Sequence, residues 1–256
     1  MSFKTSTLLT QQSNLVHRFT SRLNGHSQTP YKSNNLAFHV GDREEDVIIN
    51  HKQLAQQLHY DHKKLVHMRQ VHSDLVIVIN PKSENFDAPP ECDALVTNII
   101  DIPLMVMVAD CTPILFFDPI KNVIAVAHAG RQGALLNIVS KTINTMIKQF
   151  KSDKNNILIV LGPSIHSCCY EVGEVVAEEV CDAGYPLALS LTDKKYFLSV
   201  NSIIHTQLKV LEIPEKNIDD LNICNACNKH DFFSYRADQQ KTGRFAGIIM
   251  LKSNIS

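Results

Sequence analysis

The sequence predicts an α+β fold, with mixed β-sheets in a layered core and flanking helices. Short apolar runs bounded by turn residues cluster in the middle of the chain instead of alternating strictly with helical segments. Several of these runs are apolar at every position, as strands covered on both faces are. Around them lie longer segments whose apolar residues recur at helical spacing.

In chain order, the first helix is expected over 43–58. Asp42 and Glu45 have capping-box spacing, and Val47, Ile48, Leu54, Ala55 and Leu58 share one face. Strands follow over 75–79, 94–97, 104–109, 114–117 and 123–127. A clearer helix covers 132–150, where Leu135, Ile138, Val139, Ile143, Met146, Ile147 and Phe150 keep the period. Then come a strand over 157–161, helices near 172–182 and 200–211, and a closing strand over 245–251. Asn80-Pro81 and Ala88-Pro89-Pro90 read as loops, not linkers, because apolar runs resume at once on both sides. Gly162-Pro163-Ser164 reads as a turn after a strand and lacks the Lys-Ser/Thr of a phosphate loop.

With 256 residues and 44% hydrophobic content, the chain accommodates one large domain or two small ones. A net charge of -1 gives no reason to expect nucleic acid, although a few arginines in one cleft could still bind a small anion. No apolar run approaches the roughly 20 residues of a membrane helix, and the polar N-terminus does not read as a secretory signal. A cytoplasmic location is therefore expected. Seven cysteines, an odd number in a chain of this size, argue against a disulfide scaffold. Cys224 and Cys227 have C-x-x-C spacing, but no matching second pair is evident, so incidental reduced thiols are expected. Cys168 and Cys169 are vicinal, with Cys169 expected in the core; His59, His62 and His67 are expected to be solvated.

Three motifs bear on chemistry: Arg69-Gln70-Val71-His72, Ala109-Asp110-Cys111-Thr112-Pro113 and Ala127-His128-Ala129-Gly130. In the last two a polar residue directly follows a buried apolar run, so its backbone is fixed while its side chain faces a loop cleft, the placement a metal ligand needs. Two imidazoles and a thiolate suit zinc or copper and suit magnesium or calcium poorly. Three protein ligands leave a fourth tetrahedral position open. Spacing alone does not single out this triple among 12 histidines and 7 cysteines.

These motifs, taken in order, resemble the YfiH-like family, long labelled polyphenol oxidase or laccase-domain proteins. The resemblance starts at His17-Arg18-Phe19-Thr20-Ser21-Arg22 and passes through the three motifs above, Asp93-Ala94-Leu95-Val96-Thr97 and Cys169-Tyr170-Glu171-Val172-Gly173. It ends at Phe232-Phe233-Ser234-Tyr235-Arg236 and Thr242-Gly243-Arg244-Phe245, which implies a single catalytic domain over 1–256. It also implies metal ligation by His72, Cys111 and His128, with zinc as the metal and copper as the alternative. The activity implied is purine nucleoside phosphorolysis of adenosine, inosine and S-methyl-5′-thioadenosine, with adenosine deamination as a second activity. A laccase-like copper polyphenol oxidase and a hydrolase that edits peptidoglycan precursors are the alternatives. The chain departs from the family pattern at Arg131-Gln132-Gly133, where Trp-Arg-Gly is usual, at Ala237, where a second arginine is frequent, and at Asn24-Gly25, where the family has a glycine pair.

Phosphorolysis needs a bound phosphate, for which arginine's planar fork is suited. Arg22, Arg69, Arg131, Arg236 and Arg244 lie in or beside the matched motifs, Arg22 and Arg236 being the foremost candidates. Deamination needs a carboxylate to move protons, for which Asp110 and Glu171 are candidates. If the strand continued through it, Asp110 would face away from Cys111 and only orient a loop or a ligating histidine. The H-x-E and P-C-x-x-C signature of the nucleic-base deaminases is absent, and so are the H-x-H pairs of multicopper centres.

Overall fold

The computed structural model describes residues 2–80 and 88–253, so Pro81 of the expected Asn80-Pro81 loop lies outside the described residues. The strands are β1 (Phe3–Lys4), β2 (Leu15–Thr20), β3 (Val76–Val78), β4 (Ala94–Thr97), β5 (Leu104–Val108), β6 (Thr112–Asp118) and β7 (Val123–Ala129). They continue with β8 (Leu158–Leu161), β9 (Glu171–Val172), β10 (Leu189–Thr192), β11 (Lys195–Leu198), β12 (Ile218–Asp220) and β13 (Phe245–Leu251). The helices are α1 (Thr7–Thr10), α2 (Glu44–Leu58), α3 (Arg131–Leu135), α4 (Ile138–Phe150), α5 (Glu174–Asp182) and α6 (Val200–Val210). None of them is long and apolar enough to cross a membrane.

Two sheets stack at the centre. One is antiparallel, in the order β1-β2-β13-β5; the other is mixed, in the order β12-β8-β6-β7-β4-β3, with β12–β8 and β3–β4 parallel. A small antiparallel sheet, β10-β11-β9, stands beside them. The α+β class with mixed sheets and flanking helices is as the sequence predicts.

Alternation along the strands builds the layers. Leu95, Leu115, Phe117, Ile124 and Val126 turn one face of the mixed sheet towards Phe19, Val106, Val108, Phe245 and Ile249 of the other. Their strand neighbours Val96, Ile114, Phe116 and Ala125 face away, against Ile138, Ile143 and Met146 of α4 and Ile203, Ile204 and Leu208 of α6. On the far side of the antiparallel sheet, Met105, Met107, Ala246 and Ile248 pack on Leu54 and Leu58 of α2. The result is four layers, helix–sheet–sheet–helix. It explains why β4 to β8 are apolar at almost every position, since each burial of a large apolar side chain contributes ~1.5–3 kcal/mol. Phe19 seals the seam between the sheets, and a Cβ on Gly162 would stand only 2.2 Å from its ring, so that glycine permits the close approach.

Several expectations are corrected. Asp42 does not cap α2. Its two oxygens accept from the amide of Arg43 (2.8 Å) and the side chain of Asn35 (2.9 Å), and the helix start is met instead by Glu44, Glu45 and Asp46 facing its dipole. The segment 132–150 is two helices, because Asn137 takes a left-handed conformation (φ 64°) between α3 and α4. His67 is buried, its ring tilted on that of His51, rather than solvated. Cys169 is half-exposed rather than in the core, and Cys224 and Cys227 do have a matching pair in Cys168 and Cys169.

His17 of β2 is buried, and its Nε2 accepts the amide of Ser6 at 2.9 Å, a bond that needs the neutral ring's lone pair. Burial, and then neighbouring Arg18, hold its pKa down to about 4 from the ordinary histidine value of 6.5. The unfolded chain therefore binds this proton first. The stabilising contribution is complete above pH 6.5 and is lost as pH falls from 6.5 towards 4. By linkage the loss at this residue between pH 7 and pH 5 is about 2 kcal/mol. Denaturant titrations at the two pH values should show a smaller drop for His17→Gln, which stays neutral, than for the unchanged chain. Equal drops contradict this role of His17.

Candidate metal centre

The site forms where the two central sheets meet at one end. β5 finishes in the antiparallel sheet at Val108, and β6 begins in the mixed sheet at Thr112, so Cys111 sits in the tight crossing from one to the other. The strand does not run on through Asp110, whose φ of 100° turns the chain. His128 lies near the end of β7, beside Pro113 of β6. His72 stands on the loop before β3, in a left-handed conformation (φ 60°).

Asp93, just before β4, gathers these pieces. Its carboxylate accepts the amides of Val71 (3.2 Å), His72 (3.0 Å) and Ser73 (2.7 Å), the Ser73 hydroxyl (2.7 Å) and Nδ1–H of His128 (2.8 Å). Its own carbonyl accepts the His128 amide at 2.8 Å. A carboxylate only accepts, so Nδ1 of His128 carries the proton and Nε2 is the nitrogen left for a ligand. Burial pushes the Asp93 carboxyl up, but the bonds from His128 and Ser73 outweigh it and hold it at about 2.

The ligand-type atoms of His72, Cys111 and His128 all lie within 4.8 Å of one another. Cys111 Sγ is 3.8 Å from His72 Nε2. Bonds of ~2.3 Å to sulfur and ~2.0–2.1 Å to nitrogen at a tetrahedral angle would set that distance at about 3.6 Å, so the donors fit one zinc-sized cation. Burial raises the Cys111 pKa, yet His128 and then His72 outweigh it and bring the thiol to about 6. The same pairing raises His128 to about 9 against the burial that lowers it, so thiolate and imidazolium stand as an ion pair at neutral pH, and a cation that takes the sulfur displaces the proton on His128 Nε2. Gly130 makes the convergence possible, because a Cβ there would lie 2.8 Å from Cys111 Sγ and 3.1 Å from the His72 ring.

The three side chains open onto a cavity of about 660 Å³, a size that encloses a small organic molecule. Arg131, Arg236 and Arg244 line it, together with Tyr170 and Tyr235. Arg236 donates to the carbonyl of Glu171 (2.8 Å) and lies over the Tyr170 ring; Arg244 donates to the carbonyls of Thr242 and Gly243 and lies over the Tyr235 ring. Neither is in an ion pair with a described residue, whereas Arg131 is paired with Glu179. The other two arginines singled out by motif stand outside the cavity wall. Arg22 is committed to Asp238 (3.1 Å) and the Lys229 carbonyl (2.9 Å), and Arg69 to Glu91. The Glu171 side chain faces Lys195 (2.9 Å), so only its backbone carbonyl serves the site. Asp110 lines the cavity, but its oxygens accept from Asn225 (2.9 Å), Ser234 (2.6 Å) and the amide of Arg236 (2.7 Å), which ties together the loops that carry the arginines.

Sequence reasoning missed Asp93 as the partner of His128 and Gln70 as a clamp. Gln70 donates to the carbonyl of Met107 (2.8 Å) and accepts its amide (3.0 Å), fixing the His72 loop to β5. A polar residue immediately before the buried run at β4 was the available signal for Asp93.

The family model described as multi-copper polyphenol oxidoreductase laccase matches residues 16–252. A protein named purine nucleoside phosphorylase from Corynebacterium glutamicum is 37% identical over 91% of this chain and 93% of its own length. The similarly named YlmD of Bacillus subtilis is 30% identical over 95% of this chain and 91% of its own. Among solved structures, the hypothetical protein YfiH of Bacillus licheniformis superposes with a TM-score of 0.89 at 30% identity, covering 95% of this chain and 94% of that one.

Gly130 has a backbone conformation open to any residue (φ -79°, ψ 179°), so alanine there leaves the fold intact and crowds only the ligands. Gly130→Ala should keep its thermal midpoint within a few degrees while zinc affinity, measured by competition with a chromophoric chelator, falls at least about tenfold, a loss of ~1.4 kcal/mol. Unchanged affinity contradicts the assignment of Cys111 and His72 to one cation.

Proposed function

The chain belongs to the multi-copper polyphenol oxidoreductase laccase family, and we propose that it acts as a zinc-dependent purine nucleoside phosphorylase. The observation that carries this reading is the convergence of His72, Cys111 and His128 on a cavity that also holds two arginines, Arg236 and Arg244, whose guanidinium groups form no ion pair among the described residues. Relatives named purine nucleoside phosphorylases at 30–37% identity support the reaction class. The substrates are adenosine, inosine and S-methyl-5′-thioadenosine with inorganic phosphate, and deamination of adenosine is a second activity of the same cavity.

In phosphorolysis a phosphate oxygen bonds to C1′ as the bond from C1′ to the purine nitrogen breaks. The base leaves with the electron pair and takes a proton, and ribose 1-phosphate remains. Arg236 and Arg244 hold the phosphate through planar, two-pronged hydrogen bonding. Asp110 positions Arg236 by accepting its amide, and the Glu171 carbonyl fixes its guanidinium. Arg131, one place earlier than the arginine usual in the family, reaches the same cavity but shares its charge with Glu179. The rings of Tyr170 and Tyr235 offer flat faces to a purine. His72, Cys111 and His128 would hold a zinc ion, which would supply a Lewis acid at this end of the cavity, and copper suits the same donors.

The copper oxidase reading gains no support from the histidines, since the candidate site joins only two imidazoles. Zinc-loaded protein incubated with adenosine and phosphate should release adenine and ribose 1-phosphate, with His72→Ala at least about 100-fold slower. Arg244→Lys should raise the phosphate KM roughly tenfold, because lysine cannot reproduce the fork, and leave the nucleoside KM near its starting value. Phosphate-dependent product no greater than that of His72→Ala contradicts the assignment.

A further inference from the structure

Four cysteines outside this site meet from two separate loops. Cys168 and Cys169 lie in the turn between β8 and β9, and Cys224 and Cys227 in the loop after β12. All four are free thiols whose sulfurs lie within 4.8 Å of one another. Cys169 and Cys227 are 3.3 Å apart, Cys168 and Cys227 3.5 Å, and Cys168 and Cys169 3.8 Å. Four thiolates around one zinc at ~2.3 Å stand about 3.8 Å apart at the corners of a tetrahedron, whereas a disulfide needs ~2.05 Å. The spacing has the dimensions of a metal cage and not of a bonded pair.

The surroundings do not suit packing as the explanation. Cys168 and Cys227 are exposed and Cys169 is half-exposed, with only Cys224 buried, while free cysteines that serve as small hydrophobes are ordinarily buried. The backbone holds the two loops in register. Ser164 bridges to Cys224, the Ser164 amide donates to Ile223 (3.1 Å), and the Asn225 amide donates to Ser164 (3.0 Å). Each pair has its own turn, closed by the Cys169 amide on His166 (2.9 Å) and the Asn228 amide on Cys224 (3.1 Å).

We propose that Cys168, Cys169, Cys224 and Cys227 form a second, structural site that binds one zinc ion through four thiolates. Each thiol releases its proton on ligation and no electrons change hands. Four protein ligands close the coordination sphere, so the site holds structure and offers no position to a substrate. What it holds is the wall of the cavity. Tyr170 follows Cys169 directly, and Asn225 follows Cys224 and donates to both Asp110 (2.9 Å) and the Phe233 carbonyl (2.8 Å). The cross-link thus fixes the two loops that carry Tyr170 and the Asp110–Arg236 bracket. It does not depend on the nucleoside reading of the cavity.

Metal analysis of the full chain, purified under reducing conditions from zinc-supplemented cells, tests the proposal. Two zinc ions per chain are expected in the unchanged protein, and one in His72→Ala, which retains the four-cysteine site. Cobalt loaded into His72→Ala should give the intense visible bands and sulfur-to-cobalt charge transfer of four thiolates. Cys227→Ser should lose that spectrum and melt at lower temperature; the cobalt spectrum of His72→Ala decides the matter even if Cys227→Ser does not fold. His72→Ala protein that binds no metal under these conditions, or whose cysteines are found paired as disulfides, overturns the proposal.

Discussion

The carboxylate of Asp93 holds both imidazoles of the candidate centre in one frame. A buried ionised carboxylate is costly unless fully hydrogen-bonded, and Asp93 meets that cost by taking three amides and a hydroxyl from the His72 turn while also accepting from His128. The same bonds do two things at once. They stabilise the charge, and they hold His72 in the left-handed backbone conformation that aims its ring at Cys111. The backbone carbonyl of Asp93 then locks His128 to the strand register that pairs Ala94 with Ala127. The positions of two ligand-type side chains far apart in the chain are thereby reduced to the pairing of β4 with β7.

The layers explain why the third ligand-type side chain, Cys111, arrives at the same place. Cys111 marks the point where the chain leaves one sheet for the other, and its position is set by two stacked sheets whose facing side chains interdigitate. His128 therefore sits at a strand end and Cys111 between two strands, with His72 on a loop that Asp93 and Gln70 tie down, while Arg236, Arg244, Tyr170 and Tyr235 come from loops. Asp110 joins these two sets, since it adjoins Cys111 in the chain and bonds Asn225, Ser234 and Arg236. The four-cysteine cluster sits behind the same loops, so the rigid half of the cavity rests on β-pairing and the loop half on side-chain ties.

Legibility from sequence followed the physics. β4 and β13 were read with their observed bounds because stacking buries both faces of central strands, which leaves a continuous apolar signal. β2 gave no such signal, for its Leu-Val-His-Arg-Phe-Thr run carries His17 into the interior and Arg18 to the other side. The short strands β9 to β11 are mostly exposed and alternate weakly. The family motifs located the metal-type residues, but adjacency to a motif does not reveal whether an arginine is already neutralised. Asp238 and Glu91 answer that for Arg22 and Arg69, and both are contacts that only folding creates. The cysteine cluster was hidden for a related reason: Cys168 and Cys169 are vicinal, so they do not repeat the C-x-x-C spacing that would have announced a partner for Cys224 and Cys227.

The central claim is that two imidazoles and one thiolate share a cation and leave it open towards the cavity. Anomalous diffraction at the zinc absorption edge from crystals of zinc-loaded protein tests it most directly. The account predicts a peak about 2.0–2.3 Å from His72 Nε2, His128 Nε2 and Cys111 Sγ, with a non-protein ligand on the cavity side. No peak between these three residues, or a fourth protein side chain closing the coordination sphere, would contradict it.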